Sequence, residues 1–200
     1  MKKELVTINL KKMNILAIIL FIVPLMLALV MKFVLFKNWS LGFGLWDYLV
    51  VILAYPILMI LHEGTHALAF IMTGAPKKSV RFGVIPKKMM IYCTTNQPMS
   101  SFSYKFALLL PTIILGVIPL IVATITLDWK YCILFATMIS GGAGDVMMFI
   151  KLLKIKPKMV QDHPKAPAFY ALYNENELPP DFKEVTEEDE IKLVETLNSK

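Results

Sequence analysis

Four stretches of this chain stay apolar for longer than a soluble domain tolerates, and they limit the folds open to it. They run over Met13–Phe36, Asp47–Thr73, Phe106–Leu127 and Tyr131–Leu153. Each matches the roughly 20 residues that an α-helix needs to cross the hydrocarbon of a bilayer. In hydrocarbon every backbone N–H and C=O must be bonded within the segment, which a helix achieves and a lone strand does not. The expected fold is therefore an all-α membrane protein. It is a bundle of four transmembrane helices with a small cytoplasmic β-hairpin and a soluble C-terminal tail. A 56% hydrophobic composition and a mean hydropathy of +0.61 agree. The first stretch follows Lys2, Lys3, Lys11 and Lys12, as a signal peptide would. It is too long for a signal h-region and no small-residue cleavage site follows, so it reads as a retained span.

Charge divides the chain in two. Residues 1–158 carry 17 Lys/Arg against 5 Asp/Glu, whereas residues 159–200 carry 4 against 10. We read 1–158 as a four-span membrane domain and 159–200 as an acidic cytoplasmic tail. The positive charges lie in the N-terminal arm, in the 74–105 loop (Lys77, Lys78, Arg81, Lys87, Lys88, Lys105) and after the fourth span (Lys151, Lys154, Lys156, Lys158). Such loops stay on the cytoplasmic side. The expectation is a multi-pass protein of the cell membrane with both termini in the cytoplasm. Trp39, Trp46, Tyr48 and Trp129 then mark the opposite boundary. The basic residues flank spans, so the bilayer is their expected partner and nucleic acid is not.

Within the middle loop, residues 79–85 and 89–95 are β-prone runs around Pro86-Lys87-Lys88 and read as a hairpin. Its edge suits pairing with an extended peptide; a plain sheet capping the helices is the alternative. In the tail, prolines break up the chain until Thr186-Glu-Glu-Asp189, which resembles a capping box for a last short helix bearing Ile191, Val194 and Leu197. Cys93 and Cys132 have no Cys-x-x-Cys partner and read as small buried hydrophobes, with a ligand role for Cys93 as the lesser alternative.

The second span contains His62-Glu63-Gly64-Thr65-His66. Two imidazoles at i and i+4 share one helix face and can share one metal ion, and the Glu between them can hold a water. Ionisable groups inside a span are costly, which marks them as functional candidates. A pair of His one turn apart cannot reach opposite faces of a haem. Pro56 precedes the pair and predicts a kink. Gly64 permits close approach of a substrate or of a neighbouring helix.

Catalytic zinc takes three protein ligands and leaves one position open. Asp145, in Ser140-Gly-Gly-Ala-Gly-Asp145 of the fourth span, is the other acid in a span interior, and its small neighbours would let its helix approach the second. His163 or Asp162, just beyond that span, are rivals, and a structural polar role for Asp145 is the remaining reading.

At these residues the chain resembles a family of zincin-type membrane metallopeptidases known as a domain of unknown function, and it is similar in plan to the site-2 intramembrane zinc proteases. The matching elements are His62 to His66 with Ala67-Leu68, the loop with Arg81-Phe82-Gly83, Gly141-Gly142-Ala143-Gly144-Asp145, and Asp162-His163-Pro164. They span about residues 45–170. The resemblance implies zinc held by His62, His66 and an Asp best matched by Asp145, with Glu63 catalytic and a peptide or membrane protein as substrate. The Asp context, Ala-Gly-Asp-Val, departs from the Asn-Pro-Asp-Gly or Leu-Asp-Gly of site-2 proteases, and there is no room for a PDZ-like insertion. Two other readings stand beside the peptidase. One is a zinc-binding membrane protein that regulates or assembles a partner without cleaving it. The other is a small transporter using the midspan His and acid as an ion path.

Overall fold

A computed structural model describes residues 1–37, 44–85, 90–126, 129–164 and 166–198. The expectations for Trp39 and for the turn Pro86-Lys87-Lys88 fall outside these residues. Helices dominate. α1 (Leu10–Phe36) starts where the Asn9 side chain accepts the Lys12 N–H at 3.1 Å. α2 (Leu45–Met72) runs as a single helix through Pro56. α3 (Ser101–Thr112), a π-helical turn (Ile113–Val117) and α4 (Ile118–Thr126) follow one another as a third long apolar helix. α5 (Trp129–Gly141) and α6 (Ala143–Ile155) meet at Gly142 with a bend of 46°. Among the described residues, three helices are thus long and apolar enough to cross a membrane, or four if the bent pair is one span.

The expected unbroken fourth helix is therefore two pieces. Gly142 is the reason: a Cβ there would lie 2.1 Å from Thr112 Oγ1, so the junction sits against α3 only because that side chain is absent. The neighbouring glycines were expected to bring this helix to α2. Gly141 does face α2, where a Cβ would meet Met59 Sδ at an ordinary 3.6 Å, whereas one on Gly144 would meet Met13 Sδ of α1 at 3.7 Å.

Large apolar side chains on α1 and α2, among them Ile18, Leu27, Val30, Ile52, Leu53, Ile57 and Ile60, are exposed. So large an apolar surface is foreign to a soluble monomer and suits hydrocarbon. Where α1, α4 and α5 meet, the small residues Ala28, Ala123 and Cys132 pack with Leu120 and Ile139 in one core. Without a hydrophobic drive between helices in lipid, such small side chains let the backbones approach.

Two sheets complete the molecule. β2 (Val80–Ile85) and β3 (Met90–Thr95) form the expected antiparallel hairpin, with Phe82 opposite Cys93. A second sheet is absent from the all-α expectation. Its order is β1-β6-β5-β4, all antiparallel, from β1 (Lys2–Thr7), β4 (Met99–Ser100), β5 (Met159–Asp162) and β6 (Ala168–Tyr173). Residues of the acidic segment thus pair with the basic N-terminal arm. Val6, Phe70, Tyr104, Leu108, Leu152, Val160 and Phe169 join one end of the helices to this sheet in a single core. α7 (Glu187–Asn198) closes the chain, with the Thr186 hydroxyl donating to Asp189 at 2.7 Å in the expected cap.

Candidate metal centre

The site grows from the buried face of α2. His62, Glu63 and His66 are buried there, together with Ala69 and Phe70. Gly64 is exposed and a Cβ on it would meet nothing within 4 Å, so no neighbouring helix among the described residues packs against it. Asp145 arrives from the first turn of α6, directly after the break at Gly142, where the N-terminal end of a helix favours negative charge. The bend and the carboxylate are one device: a straight α5–α6 helix has no N-terminus at this depth.

His62 Nε2 lies 3.1 Å from Asp145 Oδ2, and His66 Nε2 lies 3.4 Å from the same oxygen. Among the described residues these three form the group whose ligand atoms all fall within 4.8 Å of one another. Two ligands at 2.0–2.2 Å from a tetrahedral zinc are about 3.3 Å apart, so the spacing fits that ion. The donor set fits as well, being two imidazoles and one carboxylate with a fourth position left for water. His66 Nδ1 donates to the Ala107 carbonyl at 2.9 Å. A carbonyl only accepts, so the proton sits on Nδ1 and the Nε2 lone pair points at the cluster. His62 Nδ1 is buried with no hydrogen-bond partner among the described residues.

Glu63 lies beside the cluster, next to the backbone of Cys93 on β3, which is where the hairpin meets the site. Burial, with the nearby Glu63 and Asp162 charges, pushes the Cys93 thiol up to about 12, which suits a small buried hydrophobe and not a ligand.

The rival ligands are engaged elsewhere. His163 Nε2 lies 3.0 Å from Glu190 on α7, which also accepts the Tyr170 hydroxyl at 2.6 Å. Asp162 accepts the Tyr104 hydroxyl at 2.7 Å. This segment instead braces the hairpin: Tyr92 OH donates to the Pro164 carbonyl, Thr94 Oγ1 to the His163 carbonyl, and Gln161 Nε2 to the Asn96 carbonyl. The rings of His66, Phe70, Tyr104 and Phe169 stand in a row with centroids 6.0–6.3 Å apart, linking the cluster to the sheet. Sequence reasoning missed Ala107, since a main-chain carbonyl carries no residue signature, and Tyr104, whose hydroxyl meets Asp162 only through tertiary packing.

With this geometry in hand, the family is identified by comparison. Residues 55–160 match the model of the family described as putative zincin peptidase, and the chain belongs to that family. The match takes in His62, Glu63, His66 and Asp145. Zinc is the metal of a zincin, and the cluster can hold it. No curated protein and no solved structure matches the chain.

Proposed function

We propose that this zincin family member is an integral membrane zinc metallopeptidase that hydrolyses a peptide bond within or beside the bilayer. The observation that carries the reading is the convergence of His62, His66 and Asp145, two buried imidazoles and a part-buried carboxylate from two apolar helices, with Glu63 one residue along. In this reading His62, His66 and Asp145 hold the ion and Glu63 is the catalytic base. Zinc, when bound, acidifies a coordinated water and polarises the scissile carbonyl. Glu63 takes the water proton and delivers it to the leaving amine. The Ala107 carbonyl fixes the His66 ring. The β2–β3 hairpin lies against α2 and offers a strand on which an extended peptide can be laid.

The placement of Lys and Arg supports a cell-membrane protein with both termini, the hairpin and the acidic 159–200 segment in the cytoplasm. Water then enters from that side. A peptide or a membrane protein is the substrate and the bilayer is the other partner. The buried Glu63 favours this reading over a zinc-holding regulator or a transporter, because binding alone needs ligands and no base.

Zinc content and turnover separate the roles. Glu63→Gln keeps stoichiometric zinc and loses activity, His62→Ala loses both, and Asp145→Ala falls well below one zinc per chain. Comparison of membrane proteomes from wild-type and Glu63→Gln cells is expected to show an accumulated substrate. Full activity in Glu63→Gln removes the peptidase, and stoichiometric zinc in Asp145→Ala removes that ligand.

A further inference from the structure

We infer that Pro111 is a positioning residue for the metal centre, acting through the Ala107 carbonyl on His66; this rests on His66 being a ligand, as proposed above. In a helix the carbonyl of residue 107 is bonded by the N–H of residue 111. Here residue 111 is proline, inside α3, with no N–H to give, and its ring crowds the carbonyl four residues back. Ala107 is fully buried, so a carbonyl freed there must find another donor. The donor it finds is His66 Nδ1, at 2.9 Å, from the neighbouring helix.

The two needs are complementary. A metal-binding imidazole requires an acceptor at its far nitrogen to fix tautomer and ring orientation. In a helix interior the carbonyl is ordinarily engaged by the N–H four residues on and aimed along the helix axis. Proline frees the carbonyl four residues upstream, on the face of α3 that packs against α2. Pro111 is itself fully buried, so lipid contact does not account for it. His62 provides the internal contrast: its Nδ1 has no hydrogen-bond partner among the described residues.

The full-length protein in detergent, titrated with zinc against a competing chelator, tests this. Pro111→Ala restores an N–H and removes the ring, so the Ala107 carbonyl returns to its own helix. Zinc affinity is expected to fall about 10- to 100-fold, the usual effect of losing such a partner. Helix content and thermal stability of the metal-free protein are expected not to fall, because alanine suits a helix better than proline. Replacing residue 111 by an α-hydroxy acid, which like proline lacks the N–H, is expected to give an affinity closer to wild type than to Pro111→Ala. Wild-type affinity in Pro111→Ala overturns the inference. So does an equal loss in both variants, which assigns the effect to ring shape. Stoichiometric zinc in His66→Ala removes the ligand reading itself, and this inference with it.

Discussion

Asp162 shows how much a single buried residue can govern. It was a candidate ligand by position, yet it lies behind the cluster, holding the hydroxyl of Tyr104. Burial pushes its carboxyl up to about 7, against the hydrogen bond from Tyr104 that favours the charged form. An unfolded Asp titrates near 4. A folded-state value above that adds stability in full below about pH 4 and loses it as pH rises through about 7. Thermal melts should therefore fall in midpoint between about pH 5 and pH 8, with a shallower fall in Asp162→Asn. An identical slope in the variant would exclude this group as the cause. At this scale the sequence was informative where chemistry is scarce. A His pair and one acid inside apolar helices have few uses, so His62, His66 and Asp145 could be picked out together. The Ala107 carbonyl could not, because an alanine has no side chain to announce what its backbone does. Pro111 was the available signal, since a proline inside an apolar helix always frees a carbonyl; which donor takes it depends on tertiary packing.

Among elements, the α5–α6 junction decides whether Asp145 reaches the His pair. A Cβ at Gly142 would sit 2.1 Å from Thr112 Oγ1, whereas one at Gly141 has ordinary contacts. Gly142→Ala is expected to destabilise by about 1–3 kcal/mol through overpacking and to weaken zinc binding. Gly141→Ala should stay near wild type. Thr112→Ala in the Gly142→Ala background removes the clashing oxygen, so the double variant should recover most of the loss. Melts of the four proteins form a double-mutant cycle, and strict additivity would contradict the contact. Length and hydropathy gave the helices with near-correct limits, because a run of about 20 apolar residues is itself the signal. The break was harder to read. A glycine run inside an apolar stretch is compatible with close packing, with flexibility or with an end, and only the neighbour at Thr112 selects among them.

At the scale of the molecule, the four-stranded sheet joins segments that the sequence assigns to opposite ends. Lys2 pairs with Tyr173 and Thr7 with Ala168. Such pairing is invisible to local pattern: β5 and β6 are short, prolines interrupt the region, and the average acidity of 159–200 suggests solvent exposure. Removing residues 2–7 would leave β6 with an open edge. Faster proteolysis and amide exchange at residues 159–173 are expected, with little change in helix content. Undiminished protection of β6 would argue that the strand is dispensable.

The break at Gly142 also has a consequence for synthesis. Translation delivers His62 and His66 well before Asp145, and β5 and β6, which brace the hairpin and close on β1, later still. A nascent chain that halts after the third long helix holds two of three donors and a first strand with no partner. Under the proposed function, the cell meets a cutting tool only after the last of these pieces has left the ribosome, and an interrupted copy is inert.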